Sequence, residues 1–256
     1  MIQLSEQGGR LEIIMDRADR RNALTHAMYA DMADILQKAA ANPDCRAIIL
    51  SGAAGHFTAG NDLNEFLEFD PDTPHAGIRF LHALADIDIP VIAAVEGQAV
   101  GVGVTMLQHC DFVLAGAGAM FRIPFVPLGL CPEGASSLLL ASIVGPRKAT
   151  QWLLTGQPFD AKEAFEAGLL TQVVADGAAL DAARSMATQL STLPPASVRM
   201  SKHLMRDTGR NQIHHSIDKE WEYFRQCLQS QDVRHRVMQF FECKPGRGAA
   251  GEGGEL

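Results

Sequence analysis

The sequence lacks the features that define several large classes of protein. No apolar run reaches membrane-spanning length, and the first residues do not show the pattern of a signal peptide. The five cysteines are widely separated and form no CxxC pair, so neither a zinc site nor a disulfide framework is indicated. HExxH, P-loop, GxSxG and kinase motifs are also absent. We therefore expect a soluble, cytoplasmic protein with no metal and no bound cofactor.

The chain also has fewer basic residues than acidic ones, 22 against 30. The 256 residues carry a formal net charge of −8, which argues against a general nucleic-acid binder, and we expect no nucleic-acid or membrane partner. The apolar fraction is 47% and the charged fraction is 20%, and both values are ordinary for a globular core. The length fits one large domain or a domain with an appendage.

The order of the predicted elements indicates an α/β core followed by helices. Strand and helix patterns alternate in residues 1–192, whereas residues 193–244 show helical patterns alone. Residues 245–256 are rich in glycine and poor in apolar side chains, so we expect them to be disordered. One helical face predicts docking on the core or on another subunit, and its large apolar residues are Ile213, Ile217, Trp221, Phe224 and Leu228.

A glycine-rich corner lies at the centre of the chain. The apolar run Val91–Val95 enters it, and a second apolar run, Val104–Cys110, leaves it with helical length and spacing. Gly101 and Gly103 flank Val102, so the backbone can approach a ligand and the first-turn amides lack intrahelical acceptors. Such a corner suits an oxyanion, although a plain packing corner between strand and helix stays open. The glycine spacing does not match a dinucleotide fingerprint.

A second corner follows the predicted strand Ala47–Leu50. In the TAGND segment, Gly60 permits a sharp turn that leaves the amides around Asn61 free. A helix predicted to begin at Asp62 directs its N-terminus to the same place. Because the carboxyl ends of parallel strands meet at one edge of a sheet, we expect the two corners to converge.

Glu133 is the only acidic residue between Asp111 and Asp160. Apolar runs flank it, and burial of a carboxyl group raises its pKa and improves it as a proton acceptor near neutral pH. It is therefore a candidate base. The residues alone leave a second interpretation open, a capping or first-turn glutamate of the helix predicted to begin near Ala135.

Cap and turn residues give further local predictions. Residues 1–15 are typical of a hairpin or an edge strand, and Thr25 is a good N-cap for a helix that ends at Asn42. Residues 121–129 contain two prolines and are predicted to be irregular, while residues 70–77 are predicted to form a mobile loop near the mouth of the site.

Four segments in the same order resemble the crotonase, or enoyl-CoA hydratase/isomerase, superfamily: Phe57–Leu63, Ile89–Val104, Cys110–Ala115 and Leu153–Val174. The resemblance implies a spiral of ββα units with a helical C-terminal region that builds trimers or dimers of trimers. It also implies an acyl-CoA thioester as substrate. The backbone amides of Asn61 and Val102 then bind the thioester oxygen, and one such donor is typically worth roughly 3 to 4 kcal/mol in the transition state.

The resemblance also implies which reaction to expect. Hydratases of this family use two glutamates, whose positions are occupied here by Thr105 and Phe125, so a hydratase is not expected. The segment PFVPLGLCPEGASS instead resembles Δ3,Δ2-enoyl-CoA isomerases, in which the glutamate before the glycine is the single base. That residue is Glu133. The alternatives are an atypical hydratase or a hydrolase of the same fold, or a non-catalytic CoA- or RNA-binding relative.

The remaining site residues follow from the same resemblance. CoA is expected along the backbone after Thr58, with its phosphates near the basic side chains, although a solvated loop is the simpler interpretation of the arginines. The acyl chain is expected towards the apolar residues near Phe66, and Phe125 and Val126 are expected to exclude water. The predicted substrate-binding residues are Arg20, Arg21, Thr58, Ala59, Gly60, Asp62, Leu63, Phe66, Gly101, Phe125, Val126 and Lys244.

Overall fold

The structure of the protein is a computed structural model that describes residues 1–68, 70 and 75–242, with side chains described up to residue 239. Lys244 and the predicted tail at 245–256 lie outside the described residues. So do residues 71–74 of the loop predicted at 70–77, and residues 76–77 of that prediction are helical instead.

The strands of the described residues form two sheets. They are β1 (Ile2–Gln7), β2 (Arg10–Met15), β3 (Ala47–Gly52), β4 (Val91–Val95), β5 (Gln98–Val100), β6 (Phe112–Gly116), β7 (Met120–Arg122), β8 (Phe159–Asp160) and β9 (Gln172–Val174). The larger sheet has the order β1-β2-β3-β4-β6-β9, and the smaller has the order β5-β7-β8. The predicted hairpin of β1 and β2 is antiparallel, whereas β2, β3, β4, β6 and β9 are parallel. The loops after these parallel strands therefore emerge at one edge.

Helices cover the sheet and form the C-terminal region. They are α1 (His26–Ala41), α2 (Leu63–Leu67), α3 (Ala76–Asp86), α4 (Val102–Thr105), α5 (Ser136–Val144), α6 (Pro146–Thr155), α7 (Ala161–Glu166), α8 (Ala179–Ser191), α9 (Pro195–Leu228) and α10 (Gln231–Glu242). Thr25 caps α1 as predicted, because its side chain accepts a hydrogen bond from the Met28 N–H. No helix of the described residues is long and apolar enough to cross a membrane.

The central strands are buried on both faces. Ile48 and Leu50 of β3 belong to the main core with α1 and α3, whereas Ala47 and Ile49 pack on the opposite face with α8. This two-sided burial explains the continuous apolar runs of β3 and β4. The predicted α/β class is confirmed.

The helices after residue 194 dock on the core of the same chain. Ile213, Ile217, Phe224 and Leu228 of α9 are buried in the main core. α9 packs against α3 and α5, and α10 packs against α2. The apolar face predicted for α9 thus has a partner within the chain.

Several local predictions were wrong. The helix predicted over Val104–Cys110 is shorter and begins earlier, as α4 followed by a 3-10 helix at Met106–His109. β5 was missed between Gly97 and Gly101, and residues 121–129 contain the end of β7 rather than irregular chain alone. β5, β7 and β8 have two or three residues each and exist through pairing with one another, so an alternating pattern had no length in which to appear.

Candidate active site

The two glycine-rich corners come together as expected. Thr58 and Ala99 form a parallel bridge, in which the Thr58 N–H donates to the Gln98 carbonyl at 3.0 Å. A Cβ atom on Gly60 would lie 2.7 Å from the Val100 carbonyl oxygen, so this approach of two backbones requires glycine. The φ of Gly60 is also positive, at 88°.

Each corner presents one backbone N–H group to the site. Leu24 exchanges hydrogen bonds with Gly60 and Asp62, its two partners on either side of Asn61, so the Asn61 N–H points away from that bridge. Val102 is the first residue of α4 and follows Gly101, whose φ is 56°. Within the described part of the chain, neither the Asn61 nor the Val102 N–H has a hydrogen-bond acceptor. Two donors are therefore available at adjoining corners.

Buried side chains brace the first corner. The Thr58 hydroxyl donates to the Asn22 carbonyl at 2.7 Å and accepts from the Gly60 N–H at 3.1 Å. The Asn22 side-chain amide donates to the carbonyls of Ala53 and His56 at 2.8 and 2.7 Å. These contacts fix the backbone before Asn61, and sequence reasoning did not identify Asn22.

Glu133 lies next to the second corner and is only 8% exposed. The Thr105 hydroxyl of α4 donates to its carboxyl group at 2.8 Å, three residues after Val102. Burial raises the pKa of Glu133 to about 7; the Thr105 hydrogen bond opposes this rise, and the negative charge of Glu220 adds to it. The carboxyl group can thus accept or release a proton near neutral pH.

The structure rejects the interpretation of Glu133 as a helix cap. α5 begins at Ser136, and Ala135 precedes it as the N-cap in a left-handed conformation. The carboxyl group that binds the first amides of α5 belongs to Glu220 of α9, which accepts from the N–H groups of Ala135 and Ser137 at 2.6 and 2.8 Å. The side chain of Glu133 is thereby left for the site.

Tyr29 of α1 is a further polar residue of the site that the sequence did not indicate. Its hydroxyl donates to the side-chain oxygen of Asn61. Burial raises the pKa of Tyr29 well above its usual value, and the charges of Glu133 and Glu65 add to the rise. Tyr29 therefore stays a neutral donor. In the sequence it lies beside the apolar residues of α1, so nothing distinguished it from a core residue.

Aromatic side chains lie beside the second corner. Phe125 is 3% exposed, and one of its ring carbons would lie 3.7 Å from a Cβ atom on Gly101. Phe224 of α9 makes edge contacts with both Phe125 and Phe66, at ring-centroid distances of 6.0 Å. Val126 was predicted to exclude water together with Phe125, but it is 40% exposed and does not belong to the buried aromatic cluster of this chain.

The predicted CoA-binding side chains have varied surroundings. Arg20 is exposed and lies 3.6 Å from Asp19, whereas Arg21 donates to the Gln98 side chain at 3.1 Å and accepts the Ala59 N–H at its carbonyl. Asp62 has structural contacts, because it caps α2 and pairs with Arg17 at 2.6 Å. Burial opposes ionisation of Asp62, but the Arg17 and Asn64 hydrogen bonds hold its pKa below the usual value. Leu63 and Phe66 are half-buried in α2.

One missed residue had a signal in the sequence. Glu220 is three residues after Ile217 and four before Phe224, so its helical spacing places a carboxylate within the apolar face of α9. A charge on a buried face needs polar partners, and such a glutamate is a candidate for an internal role.

Comparison with known proteins agrees with this fold. The family model described as enoyl-CoA hydratase/isomerase matches residues 5–247. Enoyl-CoA delta isomerase 2 of Rattus norvegicus is 31% identical over 251 residues, which cover 95% of this chain and 64% of the rat protein, so the chain spans under two thirds of that relative. The 1,2-epoxyphenylacetyl-CoA isomerase of Escherichia coli is 32% identical, with 91% of this chain and 92% of the relative covered.

Solved structures show the same fold. OdaA of Pseudomonas aeruginosa superposes with a TM-score of 0.90 at 38% identity, over 93% of this chain and 98% of the other. An enoyl-CoA hydratase/isomerase from Pseudoalteromonas atlantica also gives a TM-score of 0.90, at 37% identity, over 97% and 99% of the two chains.

Proposed function

Because the chain belongs to the enoyl-CoA hydratase/isomerase family, we propose that it is a Δ3,Δ2-enoyl-CoA isomerase, which moves the double bond of a 3-enoyl-CoA to the 2-enoyl position. One observation carries the proposal. Glu133 is a buried carboxyl group with a pKa raised to about 7 by burial, and it lies against the helix that begins at Val102. An isomerase needs one such base.

The chemistry uses the two N–H groups and the carboxylate in turn. Glu133 takes a proton from C2 of the substrate, and the thioester oxygen gains negative charge as a dienolate. The amides of Asn61 and Val102 donate hydrogen bonds to that oxygen. The protonated Glu133 then returns the proton to C4, which leaves the double bond between C2 and C3 and restores the carboxylate.

The surroundings of Glu133 favour isomerisation over hydration. The resemblance puts Thr105 and Phe125 at the positions of the two hydratase glutamates, and neither side chain can act as a carboxylate base for a water molecule. Phe125 is also buried next to Gly101 and contacts Phe224, so it excludes water from this side of the dienolate.

The substrate proposal is an acyl-CoA thioester with CoA along Thr58–Leu63 and its phosphates near Arg20 and Arg21. The Arg21 carbonyl accepts from the Ala59 N–H, so Arg21 lies beside this segment. The family's trimer or dimer of trimers is proposed as the assembly.

A second candidate is an acyl-CoA hydratase of the same fold. The chain is also similar to the 2,3-dehydroadipyl-CoA hydratase of Escherichia coli, at 29% identity over 245 residues, and this similarity favours the second candidate. In that case the protein adds water to a 2-enoyl-CoA and leaves a 3-enoyl-CoA unconjugated.

The deciding experiment supplies trans-3-hexenoyl-CoA and follows the absorbance of the conjugated thioester. We expect turnover by the wild type, and a loss of about 10²- to 10⁴-fold in kcat for Glu133→Gln with acyl-CoA binding retained. Glu222→Gln, at an exposed position of α9, is the matched control and keeps full activity. An inactive wild type, or a Glu133→Gln variant that keeps its rate, contradicts the proposal, and water addition to trans-2-hexenoyl-CoA alone supports the hydratase.

A further inference from the structure

A second buried carboxyl group, Glu220, lies behind the loop that carries Glu133. It is 8% exposed, although it belongs to a long helix whose other acidic side chains are solvated. One oxygen accepts from the Ala135 N–H at 2.6 Å, and the other accepts from the N–H and the hydroxyl of Ser137. The carbonyl of Glu220 accepts from the Cys131 thiol at 3.8 Å. One residue of α9 thus contacts the chain on both sides of Glu133.

The loop needs this support because its backbone is strained. Gly134 and Ala135 both have positive φ, at 71° and 60°. Glycine adopts such a φ without strain, whereas an alanine in this conformation is strained and persists where the surroundings fix it. The Glu220 carboxylate binds the N–H of Ala135 itself, and His109 binds the Gly134 carbonyl at 2.8 Å.

The contacts of Glu220 suit its ionised form. The two backbone N–H groups and the Ser137 hydroxyl all donate to it, at the N-terminus of α5 where the helix dipole favours negative charge. Burial raises the pKa of Glu220 above its usual value, and these hydrogen bonds oppose that rise.

Three other titratable groups near the loop are neutral near pH 7. Burial raises the pKa of Tyr29 from α1 well above its usual value and raises that of Cys131, on the loop itself, to about 12. Burial lowers the pKa of His109, from the 3-10 helix after α4, to about 4. Among these described neighbours, Glu220 therefore supplies the charge that acts on Glu133.

We propose that Glu220 is a positioning residue for the base: it fixes the strained loop that aims Glu133, and its negative charge makes Glu133 a stronger proton acceptor. This inference rests on the proposed isomerase function. It assigns a role to a helix whose apolar face otherwise serves packing alone.

The test compares Glu220→Gln with Glu222→Gln, two residues along the same helix. The pH dependence of kcat/KM for trans-3-hexenoyl-CoA is measured for both variants and for the wild type. We expect Glu220→Gln to lower kcat and to move the acid limb to lower pH by about half to one pH unit, as loss of a nearby negative charge requires. Glu222→Gln leaves both unchanged. A fall in kcat with an unmoved acid limb means that Glu220 only supports the loop, and the inference is overturned.

A milder variant guards against a Glu220→Gln protein that does not fold. Ser137→Ala keeps the backbone donors but removes one hydroxyl, so Glu220 gains a proton more easily and the acid limb moves in the same direction by a smaller step. An unmoved limb in folded Ser137→Ala also refutes the charge effect.

If the wild type has no isomerase activity, the proposed function fails while the Glu220 inference stays testable. The increase in unfolding free energy caused by Glu133→Gln at pH 8.5 is then measured in the wild-type protein and in the Glu220→Gln variant. If Glu220→Gln does not fold, the Ser137→Ala background takes its place and the comparison is made at pH 7, where the loss of one donor lets Glu220 gain a proton. A smaller gain in the variant background supports the inference, and an equal gain overturns it.

Discussion

Replacement of Glu133 by glutamine is expected to stabilise the protein at high pH while it removes the base. The carboxyl group is buried, and burial raises its pKa from the usual 4.5 to about 7. The folded state therefore favours the neutral carboxyl group. This contribution to stability is fully present below pH 4.5 and is lost as the pH rises to about 7, because ionisation is easier in the unfolded chain.

The magnitude follows from the two pKa values. A difference between 4.5 and about 7 corresponds to about 3 kcal/mol at pH 8.5 and to less than about 1 kcal/mol at pH 5. Glutamine is neutral at both pH values, and its oxygen can still accept the Thr105 hydroxyl. The difference in unfolding free energy between Glu133→Gln and the wild type therefore increases by about 2.5 kcal/mol from pH 5 to pH 8.5.

Urea denaturation at a fixed protein concentration measures this difference, with Glu222→Gln as the control for a glutamate at an exposed position. Only the change between the two pH values is diagnostic, since packing differences between the two side chains do not depend on pH. An equal effect of Glu133→Gln at pH 5 and pH 8.5 would refute the raised pKa and the base assignment that relies on it.

Three further predictions concern the rate with trans-3-hexenoyl-CoA. The wild-type kcat/KM falls as the pH drops through about 7, because Glu133 must be ionised to accept a proton, and a profile that is flat from pH 8 to pH 5 contradicts this. Thr105→Val removes the hydroxyl whose hydrogen bond lowers the pKa of Glu133, so the acid limb of the pH profile moves to higher pH, opposite to the shift expected for Glu220→Gln. A shift to lower pH would refute the hydrogen bond between Thr105 and Glu133. Tyr29→Phe removes the hydroxyl that donates to the Asn61 side chain and lowers kcat by up to roughly tenfold. The control Tyr223→Phe, at an exposed position, keeps the wild-type rate. Equal rates in both variants would show that Asn61 does not need the Tyr29 hydrogen bond.

The order of elements was largely readable before folding was considered. The hairpin of β1 and β2 and the Thr25 cap depend on neighbours in the chain, and the apolar runs of β3 and β4 are long enough to show a buried strand, so local patterns contained them. β5 and β7 were missed because each has three residues, too few for a pattern to show. Whether the three residues of β5 form a strand is decided by a partner, and no local pattern reports it.

The candidate site divides along the same line. By itself the sequence determined that two glycine corners with free amides follow buried strands, and that Glu133 is the lone acid of a long apolar segment. Only the tertiary structure decided that Thr105 binds this glutamate and that Glu220, 87 positions later, caps α5 in its place. The physical reason is that a carboxyl group's role depends on its burial and its donors, and both come from segments that meet only in the folded chain.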